Sequence, residues 1–290
     1  MGREHKEFYS WPAKFLAWLG ILWLNSLPGK LSAIIFKGLH AFFTIDQRRF
    51  RTEFRQIVLQ TFFTGIEALP LITVVAVLLG TLTITQAMTV MPKVGFGDFF
   101  GNLMVIVIIR ELGPVLTAFL IAGRSGAALA AYLGNMKVES EADALETMGI
   151  DPIKYLVMPA LIGGMVALFI MNAIFSSVAI VVGYFAAKVL TTILHNFFEV
   201  QMMWDHYLSS ILLELHPMDF LMLFLKPALF GALITANACQ FGLSVQQDVR
   251  EVPKATSRSV VYSFISVVLM DLLLSLAYIF DYLHGLNSVL

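Results

Sequence analysis

The stretch 153–187, "IKYLVMPALIGGMVALFIMNAIFSSVAIVVGYFAA", holds a single charge, Lys154, and is longer than a bilayer needs. A spanning helix takes about 20 predominantly apolar residues, so this run tilts across the membrane or continues past its face. Four further stretches reach spanning length, approximately 65–90, 102–131, 219–243 and 259–282. The run 11–29, "WPAKFLAWLGILWLNSLPG", is broken by Lys14 and Asn25 and rich in Trp, a residue that favours the membrane–water boundary. Residues 11–45 therefore read as helices lying in the interface. The competing reading makes 11–29 a sixth span. Composition agrees with the class: 58% of the 290 residues are hydrophobic and 13% charged, with mean hydropathy +0.81. Soluble domains carry about 25% charged residues. The fold class is an all-α integral membrane protein, with about five transmembrane helices preceded by N-terminal interfacial helices.

Orientation follows from Lys and Arg near the spans. Arg48, Arg49, Arg51 and Arg55 precede the first span. Lys137 and Lys154 lie in the connection after the second, and Arg250, Lys254 and Arg258 in that after the fourth. Residues 190–218 contain no Lys or Arg, although Lys188 sits just ahead, and the connection after the first span has only Lys93. The bias puts the N-terminus in the cytoplasm and the C-terminus outside, consistent with an odd number of spans. "MGREHKEFYS" reads as a cytoplasmic end, not a signal or transit peptide. The chain divides into a cytoplasmic tail with interfacial helices, 1–60, and a transmembrane domain, 61–290. Residues 190–218 are apolar enough to form an outer-face interfacial helix pair. A net charge of −1 argues against a nucleic-acid surface, and the single cysteine, Cys239, excludes an intrachain disulfide.

One polar insert has strong helix grammar. "KVESEADALETMGIDP", 137–152, offers a capping box from Ser140 and Asp143, acids that suit the helix dipole, and a stop at Gly149 before Pro152. The spacing predicts an amphipathic helix over about 139–149, with Ala142, Leu145 and Met148 along one side. It serves either as a solvated connector or as an element that docks on a cytoplasmic partner.

This insert and its neighbours resemble the MlaE permease family of ABC lipid transporters. The resemblance is carried by "RELGPVLTAFLIAGRSGAALAAYLGNMKVESEADALETMGIDPIKYLVMPALIGG", 110–164, and "SVQQDVREVPKATSRSVVYSFISVVLMDLLL", 244–274. The second segment departs from the family in lacking glycines ahead of its arginine. The resemblance implies a permease subunit of the bacterial inner membrane, with its C-terminus periplasmic. Such a subunit moves phospholipids between that membrane and an outer compartment. Its implied partners are a second copy of itself, a cytoplasmic ABC ATPase, an MCE-domain lipid-binding protein and a STAS-domain protein. The 139–149 helix is then the coupling element, with Glu141, Asp143, Leu145, Glu146 and Met148 facing the ATPase. The chain itself carries no nucleotide motif. A P-loop reads G-x-x-x-x-G-K-[ST], and the one Gly-Lys pair, Gly29–Lys30, is followed by Leu31. No cofactor is expected in this chain; ATP and magnesium belong to the partner, and the chain reads as a transport subunit, not an enzyme.

Arg110 and Glu111 stand in the middle of the second span, "LMVIVIIRELGPVLTAFLIAG", 103–123. An unpaired charge near mid-membrane costs at least about 3 kcal/mol, so each needs a partner or a wet cavity. Glu111 and Lys226 of the fourth span lie at similar depth from the outer face, within about 5 Å, and pair in this reading. They either fasten two helices or line the route of a phospholipid headgroup; intramembrane charges favour the second. On this reading Glu111→Lys impairs transport and added Lys226→Glu restores some of it. Arg110 points elsewhere on the helix, toward a carbonyl or a headgroup phosphate. Pro114 bends the helix beside the patch. Ala118, Ala122, Gly126, Ala130 and Gly134 form a small-residue stripe for packing, within the subunit or across a dimer. Arg124 snorkels to the inner headgroups or caps a neighbouring helix.

Readings from other classes fare worse. Gly95, Gly97 and Asp98 fit the G-x-G-D signature of intramembrane aspartyl proteases, but the preceding span offers only Glu67, at its opposite edge, where such catalysis needs a second carboxylate. Asp98 is more simply a helix cap. His195, Glu199, Asp205 and His206 fit no zinc spacing, and no metal site is expected. An ion-coupled secondary transporter is the remaining alternative, and the halves of the chain show no repeat to support it.

Overall fold

A computed structural model of the protein describes residues 27–43, 50–90, 100–193, 204–246 and 248–287, and among these every regular element is helical. In chain order they are α1 (Leu27–Phe43), α2 (Phe50–Ile66), α3 (Leu69–Val90), α4 (Gly101–Val138), α5 (Glu141–Thr147), α6 (Ile153–Ile193), α7 (Trp204–Glu214), α8 (Pro217–Leu243) and α9 (Val252–Asn287). Five of them, α3, α4, α6, α8 and α9, are long and apolar enough to cross a membrane. Hydropathy located each of these spans. Their ends differ by up to seven residues, as where α4 runs on to Val138 and α9 begins at Val252, since a helix continues past the apolar core wherever its backbone has partners.

α6 and α8 form the middle of the bundle. α6 packs on α2, α3 and α8, while α8 packs on α4 and α9. Glycine sets how closely these helices approach. A Cβ on Gly231 of α8 would lie 2.7 Å from the Gly164 carbonyl oxygen of α6, and one on Gly80 of α3 would lie 2.3 Å from that of Ala179. With no hydrophobic drive between helices in lipid, such close backbone packing is a main source of association. Ile72, Ile84, Met104, Ile108, Phe175 and Phe230 fill the core around these contacts.

Residues 11–26 of the expected interfacial segment, and with them the sixth-span alternative, lie outside the described residues. Its described part is α1, which buries Leu31 against Leu161 and Ala236 and leaves Phe36 and Phe43 exposed. α2 likewise buries Ile57 and exposes Phe54, Phe62 and Phe63. One buried and one exposed apolar face suit helices that lie along the membrane surface. α2 runs across the 60/61 boundary drawn from sequence.

Of the outer segment 190–218, residues 194–203 lie outside the described residues, and the described helix α7 leaves Leu212 and Leu213 exposed, as α1 and α2 leave their phenylalanines. Residues 190–193 complete α6, and α7 is packed into the bundle, with Tyr207 and Ile211 buried. The Tyr207 hydroxyl donates to the Ile180 carbonyl at 3.1 Å, and burial pushes its phenol above the ordinary tyrosine range. Asp98, His195 and Glu199 lie outside the described residues.

The small-residue stripe is used within the chain. Gly126 faces Ile234 of α8, and Gly134 faces Val245 and Val252. Ala130 presents its carbonyl oxygen where a Cβ on Gly242 would lie only 2.8 Å away. Ala118 and Ala122 are fully buried.

Candidate functional site

α4 is where chemistry departs from plain spanning. It winds as a π-helix over Val105–Leu112 and again over Ala122–Gly126, a local widening that recurs at functional sites. Arg110 and Glu111 occupy the first stretch, roughly 15 Å from the start of the helix at 1.5 Å per residue. Pro114 follows at the start of the regular turn. Proline has no N–H, so the Arg110 carbonyl, four residues earlier, loses its α-helical donor. Lys226 of α8 supplies a replacement, its Nζ donating to that oxygen at 2.9 Å.

Lys226 is the hub. Its side chain is 3% exposed. An ammonium group has three protons to donate, and three hydrogen bonds take them: to the Arg110 carbonyl, to Ser275 Oγ at 3.1 Å and to Glu111 Oε1 at 3.4 Å. Asp271 Oδ1 lies 2.9 Å away as an ion-pair contact. Ser275, one helical turn after Asp271 on α9, accepts from Lys226 and donates to Glu111, at 3.1 Å to Oε1 and 3.3 Å to Oε2. The contact from Lys226 to Glu111 is the longest of the set, and the Glu111 side chain is 43% exposed. Glu111 is therefore the member held most loosely and presented most openly.

Arg110 belongs to a second, tighter group. Its terminal nitrogen donates to Asp219 Oδ2 at 2.7 Å and to the Glu214 carbonyl at 3.3 Å, while Nε lies 2.7 Å from Asp219 Oδ1 as an ion-pair contact. The guanidinium also sits 5.2 Å over the Tyr278 ring, a favourable cation–π arrangement. Asp219 is fully buried and does two jobs, since its Oδ2 also accepts the His216 amide at 2.8 Å and so caps the start of α8. The expected carbonyl partner for Arg110 is present; the headgroup-phosphate alternative is not what the geometry offers, because Arg110 is fixed to Asp219.

Sequence reasoning found Glu111, Lys226 and Arg110 and missed Asp219, Asp271, Ser275 and Tyr278. A signal existed. Asp271 is the sole acid in the apolar run 259–280, and Ser275 and Tyr278 follow at four and seven residues, on one helical face.

At the other end of the bundle, α5 is shorter than the spacing predicts. Ser140 stands before it in the left-handed region at φ 60° and does not cap it with its side chain. The capping box fails because a residue so twisted does not aim its hydroxyl along the helix, and Asp143 is drawn instead to Lys137. The stop at Gly149 holds. At φ +74° it lets its amide reach the Glu146 carbonyl at 3.0 Å, while the Ile150 amide bonds that of Leu145 at 2.9 Å, the Schellman closure. Ala142 is buried, Leu145 is half-buried, and Met148 is 65% exposed beside exposed Glu141 and Glu146.

Arg124, in the second π stretch, donates to the Glu67 carbonyl, and Ser125 Oγ donates to that of Thr64 at 3.0 Å. Both are carbonyls at the end of α2, where helical donors run out. Arg124 thus caps a neighbouring helix, one of its two expected roles.

A family profile described as "Permease MlaE" matches residues 57–277. The chain is similar to a probable ABC transporter permease protein of Rickettsia prowazekii (strain Madrid E), 29% identical over 219 residues covering 76% of this chain and 81% of the relative. It is also similar to the chloroplastic protein TRIGALACTOSYLDIACYLGLYCEROL 1 of Arabidopsis thaliana, 27% identical over 269 residues, 92% of this chain and 70% of that one. The intermembrane phospholipid transport system permease protein MlaE of Haemophilus influenzae (strain ATCC 51907 / DSM 11121 / KW20 / Rd) is 26% identical over 235 residues, 80% of this chain and 85% of that protein.

Proposed function

The chain belongs to the MlaE permease family, and on that premise we propose that it is the membrane subunit of an ABC transporter that carries phospholipids between the inner membrane and the outer compartment. It is a multi-pass membrane protein and a lipid-transport permease. The finer reading assigns ATP and magnesium to a separate cytoplasmic ATPase, and lipid handover to an MCE-domain protein on the outer side. A STAS-domain protein is a further partner on the cytoplasmic side. The N-terminus is cytoplasmic and the C-terminus periplasmic.

The observation that carries the reading is Glu111. Of the five charged side chains in the two groups it is the most exposed, at 43% against 19% for Arg110 and 18% for Asp271. A carboxylate that open at membrane depth needs polar company. A second copy of the chain closing over it creates a wet slot in which a phospholipid headgroup meets Glu111, with Lys226 and Ser275 as its support. Arg110 lines that slot only from behind, fixed to Asp219.

The drive enters through α5. It joins the inner ends of α4 and α6, so a force on α5 moves both spans. Met148, Leu145, Glu141 and Glu146 form the contact with the ATPase, and Asp143 holds α5 to α4 through Lys137. The two π stretches let α4 shift in steps instead of bending as a rod. Movement of α4 against α8 stretches the longest contact, Lys226 to Glu111, first.

Purification tests the assignment. An ATPase that copurifies with the chain and is lost on Met148→Asp, with the fold retained, supports the coupling role of α5. Ion-driven lipid uptake by the chain alone in vesicles overturns the ABC reading.

A further inference from the structure

α1 and the start of α6 enclose a groove of about 330 Å3, within the size range of small-molecule sites. Three basic side chains line it from two remote parts of the sequence: Lys37 and His40 on α1, and Lys154 on α6. Phe36 gives it an apolar wall and stands 71% exposed. The acid in the lining is Asp151, and its Oδ1 is engaged, accepting the Ile153 amide at 2.9 Å. Lys37 and Lys154 form no ion pair with any described residue.

Two ammonium groups share the groove with one carboxylate, so their charges outnumber it, and an anion seated between the lysines offsets their mutual repulsion. The backbone adds to the field. Ile153 opens a continuous helix of 41 residues, whose dipole favours negative charge at this end. The location narrows the anion. Phe36 and Phe43 of α1 are exposed, the pattern of a helix that lies along the membrane surface, and a helix so placed opens the groove at headgroup level. Basic pockets at this level receive anionic lipid headgroups.

We propose that this groove is a resident site for one anionic phospholipid of the adjacent leaflet. Its phosphate sits among Lys37, His40 and Lys154, and an acyl chain lies along Phe36. The site is at the opposite end of the bundle from Glu111, so the lipid held here is not the one meeting that carboxylate. It ties α1 to the first turn of α6, directly after α5, and thereby steadies the segment through which α5 acts.

Native mass spectrometry of the detergent-purified full chain tests this, with phosphatidylglycerol and phosphatidylcholine titrated separately. One phosphatidylglycerol is expected to be retained at least about tenfold more strongly than phosphatidylcholine. The double variant Lys37→Gln with Lys154→Gln loses about tenfold of that preference and holds phosphatidylcholine as before. Asp151→Asn keeps the oxygen that caps Ile153, removes the acid and tightens phosphatidylglycerol binding, a gain that misfolding would not produce. Equal retention of both lipids, undiminished phosphatidylglycerol in the double variant, or full displacement by inorganic phosphate at matched concentration would each overturn the proposal, the last by assigning the groove to free phosphate.

Discussion

α4 widens into π-helical winding twice, and each stretch carries an arginine that reaches out of its own helix. At Arg110 the partner is Asp219, fully buried, beside a lysine that is 3% exposed. At Arg124 the partner is Glu67, with side chains 48% and 55% exposed and 3.7 Å between the charged atoms. The local device is the same and the energetics are not. Water or headgroups screen the Arg124 pair, so its worth comes mainly from the carbonyls it caps at the end of α2. No such screening reaches Asp219. Removing one member there leaves the other charged in a low-dielectric interior, the costly way to break a buried pair. A charge is thus tolerated in the bundle only as part of a closed set, and freely at its edge.

Five substitutions grade this contrast. Asp219→Ala is expected to cost about 3–5 kcal/mol, because it strands Arg110 and uncaps α8 together; a large fall in Tm and yield of the purified protein is the readout, and a near-normal Tm would erase the difference between the two stretches. Glu111→Lys comes next. It should abolish lipid transfer in a reconstituted assay while costing less stability than Asp219→Ala, since Glu111 is the open member of its group. The added Lys226→Glu change is expected to restore only a minor fraction, less than the simple pairing of sequence analysis implies. A glutamate at 226 confronts Asp271 and donates nothing to the Arg110 carbonyl. Full rescue by the double variant would mean that Lys226 serves Glu111 alone. Ser275→Ala removes a hydroxyl that joins Lys226 to Glu111 and should cost about 1 kcal/mol, read as a modest Tm shift with transport reduced but present. Arg124→Ala is the smallest, about 0–1 kcal/mol, and a drop as large as that of Asp219→Ala would show the second stretch to be equally dry.

Some of this was legible in the sequence. Five spans, the polar insert that becomes α5 and its stop at Gly149 all follow from local properties: apolar length, the alternation of polar and apolar faces, and a residue that accepts positive φ. The charged residues of the second and fourth spans announced themselves by their cost in a membrane. The cap at Ser140 was misread because a Ser followed three residues on by an acid fits the pattern whatever its backbone angle, and Lys137 offers Asp143 a stronger partner. The π winding of α4 left no trace in hydropathy, since both windings present the same apolar composition. Asp271 was visible as a lone acid, but nothing local says that it shares Lys226 with Glu111.

Local sequence was enough to locate the five spans found among the described residues, the places where charge must be hidden, and the point where a short polar helix stops. Tertiary structure alone decided which charges meet. Arg110 turns to Asp219, and Lys226 divides its protons among a carbonyl freed by Pro114, a serine and a glutamate. The reason is physical: span length and facial pattern are set by neighbours along the chain. Ion pairing depends on the depth, rotation and separation of helices more than a hundred residues apart, and close contacts such as Gly231 against Gly164 fix those only once the bundle is assembled.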